Sequence, residues 1–153
     1  MEQPTIRSRL EADLKTAMRA RDEATRDAIR YILAQLKNAE IEHRGNLAEA
    51  DAEATLRRVG KQMADALDQF RAAGREDLAA REEGQLTVLR RYLPQEMSDA
   101  ELAALVDDIV RETGAAGPKD MGKVMPIAIA RAGGRADGRR LSASVKAALS
   151  AAT

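Results

Sequence analysis

The stretch YLPQEMSDAE, residues 92–101, decides how the chain is organised. Pro94 has no backbone N–H and its ring clashes with a preceding helical turn, so a helix that arrives here must stop. Four residues later, Ser98 and Glu101 have the Ser-x-x-Glu spacing of a capping box, which opens a new helix. We therefore predict two domains, one over residues 1–94 and one over residues 95–153.

Apolar residues recur at helical spacing on both sides of this stretch. Ile29, Ile32 and Leu36 illustrate the pattern before it, and Leu102 and Ile109 illustrate it after. The chain is rich in Ala, Leu, Arg and Glu, which favour helices, and poor in the β-branched and aromatic residues typical of strands. We predict an all-α protein, with about four helices in the N-terminal domain and three in a small C-terminal domain.

Local signals predict where several of these helices begin and end. Gly45 followed by Asn46, with Glu49 three residues further on, predicts a helix stop and the capped start of helix three. Pro118 is predicted as the first residue of helix six, because its missing N–H is not needed there. Asp137 is predicted to cap the start of helix seven.

The composition excludes several classes of site. The 153 residues contain no Cys and one His, which excludes disulfides, thiolate metal sites and Cys nucleophiles and removes the usual His-rich metal sets. We therefore predict no catalytic residue, no metal and no cofactor. No stretch approaches about 18 consecutive apolar residues, and the first residues lack the basic and apolar segments of a secretory signal. We expect no contact with membranes and a cytoplasmic location.

The charge is balanced overall, with 25 Lys and Arg against 25 Asp and Glu, but it is unevenly distributed. Residues 94–112 hold one basic and six acidic residues, a net charge of −5, whereas residues 113–153 hold seven basic and two acidic residues, a net charge of +5. Helical spacing places several of these cations opposite the apolar side of the last two helices. Such a surface suits phosphate backbones, although a merely solvated face explains it too. The candidate nucleic-acid-binding residues are Lys119, Lys123, Arg131, Arg135, Arg139, Arg140 and Lys146.

A second basic row lies on helix two and consists of Arg26, Arg30 and Lys37, at positions i, i+4 and i+11. Pairing with acidic residues on a neighbouring helix is an equally good interpretation of this row. With only three aromatic residues in the chain, recognition of bases by stacking is unsupported. Any nucleic acid is therefore expected to be bound through its shape and its backbone.

Two glycine-containing segments are similar to phosphate-binding loops. Residues 117–124, GPKDMGKV, nearly match the pattern Gly-x4-Gly-Lys-Ser/Thr, but Val124 replaces the hydroxyl residue, and a predicted helix precedes the segment instead of a strand. Residues 133–138, GGRADG, fit either an anion cradle or a tight turn that Asp137 caps. We interpret the first segment as a helix start and the second as a turn. An anion held by arginines alone stays compatible with that turn.

Five runs of sequence carry a resemblance to a known family: LKNAEIE at residues 36–42, AGREDL at 73–78, YLP at 92–94, KDMGKVM at 119–125 and GRADG at 134–138. In this order and spacing they resemble the YqeY-like (GatB/YqeY) family, over about residues 10–149. The resemblance implies a helical N-terminal domain joined to a small domain similar to the tail of the aspartyl/glutamyl-tRNA amidotransferase B subunit. In that subunit the tail contacts tRNA, while amide formation belongs to a separate part. Gly117 departs from the small polar cap that many relatives place before the KDMGKV run.

The charge pattern and the resemblance together favour a non-catalytic helical module that binds tRNA or associates with a tRNA amidotransferase. Its expected partners are tRNA and either a tRNA synthetase or an amidotransferase component. One alternative is a carbon–nitrogen ligase that uses glutamine as amide donor. Another is a protein-interaction bundle that docks through helix two or through the acidic face of helix five.

Overall fold

The computed structural model describes residues 2–152, which form helices and turns and contain no strand. The seven α-helices are α1 (Ile6–Arg19), α2 (Glu23–His43), α3 (Glu49–Ala72), α4 (Glu76–Arg90), α5 (Asp99–Thr113), α6 (Met121–Ala132) and α7 (Gly138–Ala151). The prediction of an all-α protein is confirmed, and four helices precede Pro94 while three follow it. None of the described helices is long and apolar enough to cross a membrane.

The chain divides into two compact units, Met1–Leu93 and Pro94–Thr153, and each has its own apolar core. The assignment of domains to residues 1–94 and 95–153 stays a prediction. In the N-terminal unit every helix contributes a fully buried side chain, represented by Leu10, Ile29, Leu56 and Leu89. Helices α3 and α4 pack closely at Gly60, where an added Cβ would lie 3.2 Å from Cδ2 of Leu89. A larger residue at Gly60 therefore has to displace that leucine.

The start of α3 differs from its prediction. Asn46 does not cap the helix, which begins at Glu49 after Ala48, and Ala48 makes no side-chain capping bond. Leu47 packs against the core and separates Asn46 from the helix start. The carboxylate of Glu49 instead accepts a hydrogen bond of 2.7 Å from the backbone N–H of Ile6. Glu49 therefore satisfies a free donor at the start of α1, which no local pattern within α3 can predict.

Tyr92 links the end of α4 to α1. Its side chain is buried, and its hydroxyl donates a 2.5 Å hydrogen bond to Oδ2 of Asp13. Burial, followed by the hydrogen bond to the Asp13 carboxylate, raises the pKa of Tyr92 well above its ordinary value. The Arg9 guanidinium lies 5.2 Å from the centre of the Tyr92 ring and also donates to the carbonyl of Arg91. These contacts hold the last residues of the N-terminal unit against α1.

The C-terminal unit is a three-helix arrangement whose core consists of Ala, Val, Leu and Ile side chains. Val106, Val124 and Val145, one from each helix, have no exposed surface. Two predicted helix starts are confirmed. Oγ of Ser98 accepts from the N–H of Glu101 at 3.1 Å, and Oδ1 of Asp137 accepts from the N–H of Arg140 at 2.8 Å.

The prediction that helix six begins at Pro118 is wrong. Pro118–Asp120 forms a 3₁₀ turn, and α6 begins at Met121. The reason is that Oδ2 of Asp120 turns back to accept a hydrogen bond of 2.8 Å from the N–H of Ala116. That bond lowers the pKa of Asp120, with smaller contributions from other groups that include Lys123 and Lys119. The tight turn places Lys119 and Lys123 on the surface of the unit.

Candidate nucleic-acid interface

Four of the seven predicted cations of the C-terminal unit are exposed and make no ion pair with any carboxylate among residues 2–152. We call them the C-terminal basic surface: Lys119, Lys123, Arg139 and Lys146. Lys119 lies in the 3₁₀ turn and Lys123 in the first turn of α6, while Arg139 and Lys146 lie on α7. Their neighbours Val124 and Val145 are fully buried, which fixes the opposite sides of both helices against the core.

The remaining cations of the C-terminal unit have partners inside the fold, and two of them bind the segment that precedes α5. Nε of Arg135 donates to the carbonyl of Gln95 at 2.7 Å, and a terminal nitrogen of Arg140 donates to the carbonyl of Met97 at 2.8 Å. A backbone hydrogen bond joins the same two segments, since the N–H of Met97 donates to the carbonyl of Arg135 at 2.8 Å. We call Arg135 and Arg140 the arginine clamp.

Carboxylates complete the arginine clamp. Arg135 pairs with Glu101 at 3.1 Å, and Arg140 pairs with Asp99 at 2.9 Å. The Arg140 side chain is also the more enclosed of the two arginines, at 29% exposure against 40% for Arg135. Both guanidinium groups therefore hold residues 95–101 to the turn between α6 and α7, which makes them weaker candidates for a nucleic acid.

Arg131 is also engaged, since it pairs with Glu112 at the end of α5. Its hydrogen bond lowers the pKa of Glu112. The basic residues of the last two helices and the acidic residues of α5 thus neutralise one another in part. The net charge of +5 over residues 113–153 overstates what is free to meet a ligand.

The second basic row on α2 is divided in the same way. Arg26 pairs with Asp27, and this hydrogen bond lowers the pKa of Asp27. Arg30 and Lys37 are exposed and make no ion pair with a described carboxylate. Sequence reasoning missed Arg21, which lies beside this row with a left-handed φ of 55°. The sequence feature that could have indicated Arg21 is an arginine just after α1, at the position where helices commonly end on glycine.

Neither glycine-containing segment has the features of a phosphate loop. The turn Pro118–Asp120 follows α5, and Val124 is fully buried, so the near-match at residues 117–124 lacks both the strand and the hydroxyl that the loop needs. At residues 133–138, Gly133 and Gly134 have φ values of 57° and 79°, and Asp137 caps α7. The segment is a tight turn, as predicted. The part of the chain that the structure describes also contains no group of three His or carboxylate side chains able to hold a metal.

The order of the sequence runs agrees with a comparison against known families. A model described as Yqey-like protein matches residues 7–149. The chain belongs to the YqeY family. The resemblance of residues 10–149 is therefore confirmed, and the family spans both units of the fold.

Relatives of this YqeY-family chain include fungal proteins that are each named "Altered inheritance of mitochondria protein 41, mitochondrial". The protein of Saccharomyces cerevisiae strain S288c is 36% identical over 96 residues, which cover 62% of this chain and 52% of the relative. The Lachancea thermotolerans protein is 32% identical over 143 residues, which cover 89% of this chain and 76% of the relative. The match thus spans about half the length of the Saccharomyces protein.

The names of these relatives contradict the prediction of a cytoplasmic location. Both proteins are named as mitochondrial, so that prediction is wrong. It rested on the lack of apolar segments, and mitochondrial address segments are amphipathic and rich in Arg instead of apolar. A search for apolar stretches therefore carries no information about this compartment.

Proposed function

We propose that this YqeY-family chain is a non-catalytic helical module that binds tRNA, alone or together with a tRNA synthetase or amidotransferase component. The observation that carries the proposal is the C-terminal basic surface, four exposed cations that make no ion pair with a described carboxylate. They lie in the unit that corresponds to the tRNA-contacting tail in the family resemblance. Because Lys and Arg attract phosphates regardless of sequence, the surface fits an RNA backbone.

The aromatic residues support binding through the backbone and not through bases. Tyr92 is buried against Asp13, Phe70 is packed in part against the N-terminal core, and Tyr31 is 40% exposed. All three lie in the N-terminal unit, away in sequence from the C-terminal basic surface. The C-terminal unit therefore offers no aromatic side chain on which a base can stack.

Salt dependence tests this proposal directly. Four phosphate contacts release about four counterions, so the affinity for bulk tRNA is expected to fall roughly a hundredfold between 50 and 200 mM salt. Fluorescence anisotropy with labelled bulk tRNA measures this fall. Absence of binding at low salt contradicts the proposal.

A charge-reversal variant locates the surface. Replacing Lys119, Lys123, Arg139 and Lys146 by Glu is expected to abolish binding at low salt. The matched control reverses four exposed cations of the N-terminal unit, Lys15, Arg58, Lys61 and Arg90, and reaches the same net charge. Equal losses in both variants would show a general charge effect and reject the assigned surface.

Amidation of misacylated tRNA by the purified chain, dependent on ATP and glutamine, would instead favour the ligase alternative.

A further inference from the structure

The turn between α1 and α2 borders a small depression with a volume of about 190 Å³. We call its basic rim the arginine notch: Arg21, Arg26 and Arg30. The same depression is lined by the half-exposed side chain of Met18 and by two acids, Asp22 and Glu23. Its volume lies below the roughly 300–1,000 Å³ of sites for drug-sized ligands, so it suits a small group.

Arg21 occupies a backbone position that normally belongs to glycine. Its φ is 55°, its N–H donates to the carbonyl of Met18 at 3.2 Å, and the N–H of Asp22 donates to the carbonyl of Ala17 at 2.9 Å. This left-handed closure is strained for any residue that carries a Cβ. Helices α5 and α6 end on glycines in the same conformation, at Gly114 and Gly133. Arg44 has the same conformation, but Arg21 also lines the depression beside two further arginines, and this combination points to a use for its side chain.

Of the acids near the notch, Asp22 and Asp27 are engaged, whereas Glu23 is exposed and makes no ion pair with a described cation. Both carboxylate oxygens of Asp22 accept hydrogen bonds from Thr25, from its N–H at 3.1 Å and from its hydroxyl at 2.7 Å. These bonds, the one from the hydroxyl first, lower the pKa of Asp22. Asp27 is paired with Arg26. Arg21 and Arg30 are therefore left without an ion pair to any described carboxylate.

The geometry points to a phosphate-binding site at the arginine notch, in which Arg21 and Arg30 hold the phosphate oxygens and Arg26 adds positive charge. Guanidinium groups bind phosphates through paired N–H donors, and the open rim admits a group carried on a larger molecule. The group is either a phosphodiester of an RNA backbone or a phosphate monoester, free or at a chain end. The notch lies in the N-terminal unit and does not depend on tRNA binding by the C-terminal basic surface.

The test is an NMR titration of the full chain with inorganic phosphate and with dimethyl phosphate, at an ionic strength held constant with NaCl. Saturable shifts of the Met18, Asp22 and Arg30 amides with both probes support a phosphodiester ligand. Saturation with inorganic phosphate alone supports a monoester. Shifts that rise linearly with both probes overturn the proposal.

Arg21→Gly provides the sharpest variant, since it relieves backbone strain while it removes the binding side chain. We expect affinity for inorganic phosphate to fall about tenfold, the effect of losing one charge-assisted contact. The matched control is Arg44→Gly, because Arg44 ends α2 in the same left-handed conformation, with a φ of 60°, outside the notch. Arg30→Gln provides a second variant that leaves the turn intact. Unchanged affinity in Arg21→Gly and Arg30→Gln, or an equal loss in Arg44→Gly, refutes the site.

Discussion

Two of the turns between helices in this molecule use their arginines in opposite ways. At the turn between α6 and α7, the arginine clamp binds the carbonyls of Gln95 and Met97 and pairs with two carboxylates. At the turn between α1 and α2, Arg21 faces an open notch and has no such partner among the described residues. The number of arginines near a turn is thus a poor guide to binding, because the neighbouring carbonyls and acids determine what remains available.

The difference has a physical cause in how each turn is closed. The carbonyls of Gln95 and Met97 precede α5, and the clamp arginines donate hydrogen bonds to them. In the turn between α1 and α2 the backbone closes on itself, and Asp22 caps α2. The Arg21 side chain donates to no described backbone carbonyl there, so it is available to a ligand.

The largest expected effect comes from breaking the arginine clamp. Arg135→Ala combined with Arg140→Ala leaves the carbonyls of Gln95 and Met97 without donors, and we expect a destabilisation of about 2 kcal/mol. Urea unfolding can be followed through the methyl resonances of Leu149, a buried residue of the C-terminal unit. The control is Arg139→Ala, an exposed neighbour with no ion pair among residues 2–152. Equal unfolding midpoints for both variants would show that the clamp does not stabilise the unit.

A smaller effect is expected at alkaline pH, where the N-terminal unit should lose the stability that Tyr92 contributes. The pKa of Tyr92 is raised in the folded chain, so its stabilising contribution is complete below the unfolded value of about 10 and is lost as the pH rises further. Tyr92→Phe removes the hydrogen bond to Asp13 and is expected to cost about 1 kcal/mol at pH 7.

The Tyr92→Phe variant is also expected to lose less stability than the natural chain between pH 9 and pH 12. Leu10 methyl resonances report on the N-terminal unit, and those of Leu149 report on the C-terminal unit. If both chains lose the same stability at high pH, the Tyr92–Asp13 bond has no such role.

The turn between α1 and α2 is predicted to gain stability from the loss of its arginine. Arg21→Gly relieves a left-handed backbone and should stabilise the N-terminal unit by about 1 kcal/mol, as should Arg44→Gly. Leu10 methyl resonances in urea measure the change. Destabilisation by Arg21→Gly would mean that its side chain holds the fold together, as the clamp arginines do.

The smallest effect on stability belongs to the C-terminal basic surface. Arg139→Ala with Lys146→Ala should change the free energy of unfolding by less than about 0.5 kcal/mol, because neither side chain has an ion pair among the described residues. Thermal unfolding by circular dichroism checks this. A larger loss of stability would show that these cations stabilise the fold, as the clamp arginines do.

Structural features that depend only on residues close in sequence, such as helix caps, could be predicted from the sequence. Ser98 and Asp137 cap their helices because a short polar side chain reaches an N–H three residues away, whatever the rest of the fold does. The break at Pro94 and the positions of the apolar stripes depend on equally local chemistry, and the all-α prediction rests on them.

Contacts between residues distant in sequence could not be predicted. Glu49 satisfies the N–H of Ile6, 43 residues away, and Arg140 reaches the carbonyl of Met97, also 43 residues away. The sequence identifies these side chains as charged but contains no information on which acceptor lies nearby. For that reason the prediction grouped the clamp arginines with the cations of the C-terminal basic surface. It did not include Arg21 for the same reason.

The most direct test of the account is the slope of log affinity for bulk tRNA against log salt concentration, in the full chain and in Arg139→Ala with Lys146→Ala. Each lost phosphate contact lowers the slope by about 1, so the double variant should lower it by about 2. Because the fold is unaffected, that loss belongs to the C-terminal basic surface. An unchanged slope, or no tRNA binding by the natural chain at low salt, would contradict the account.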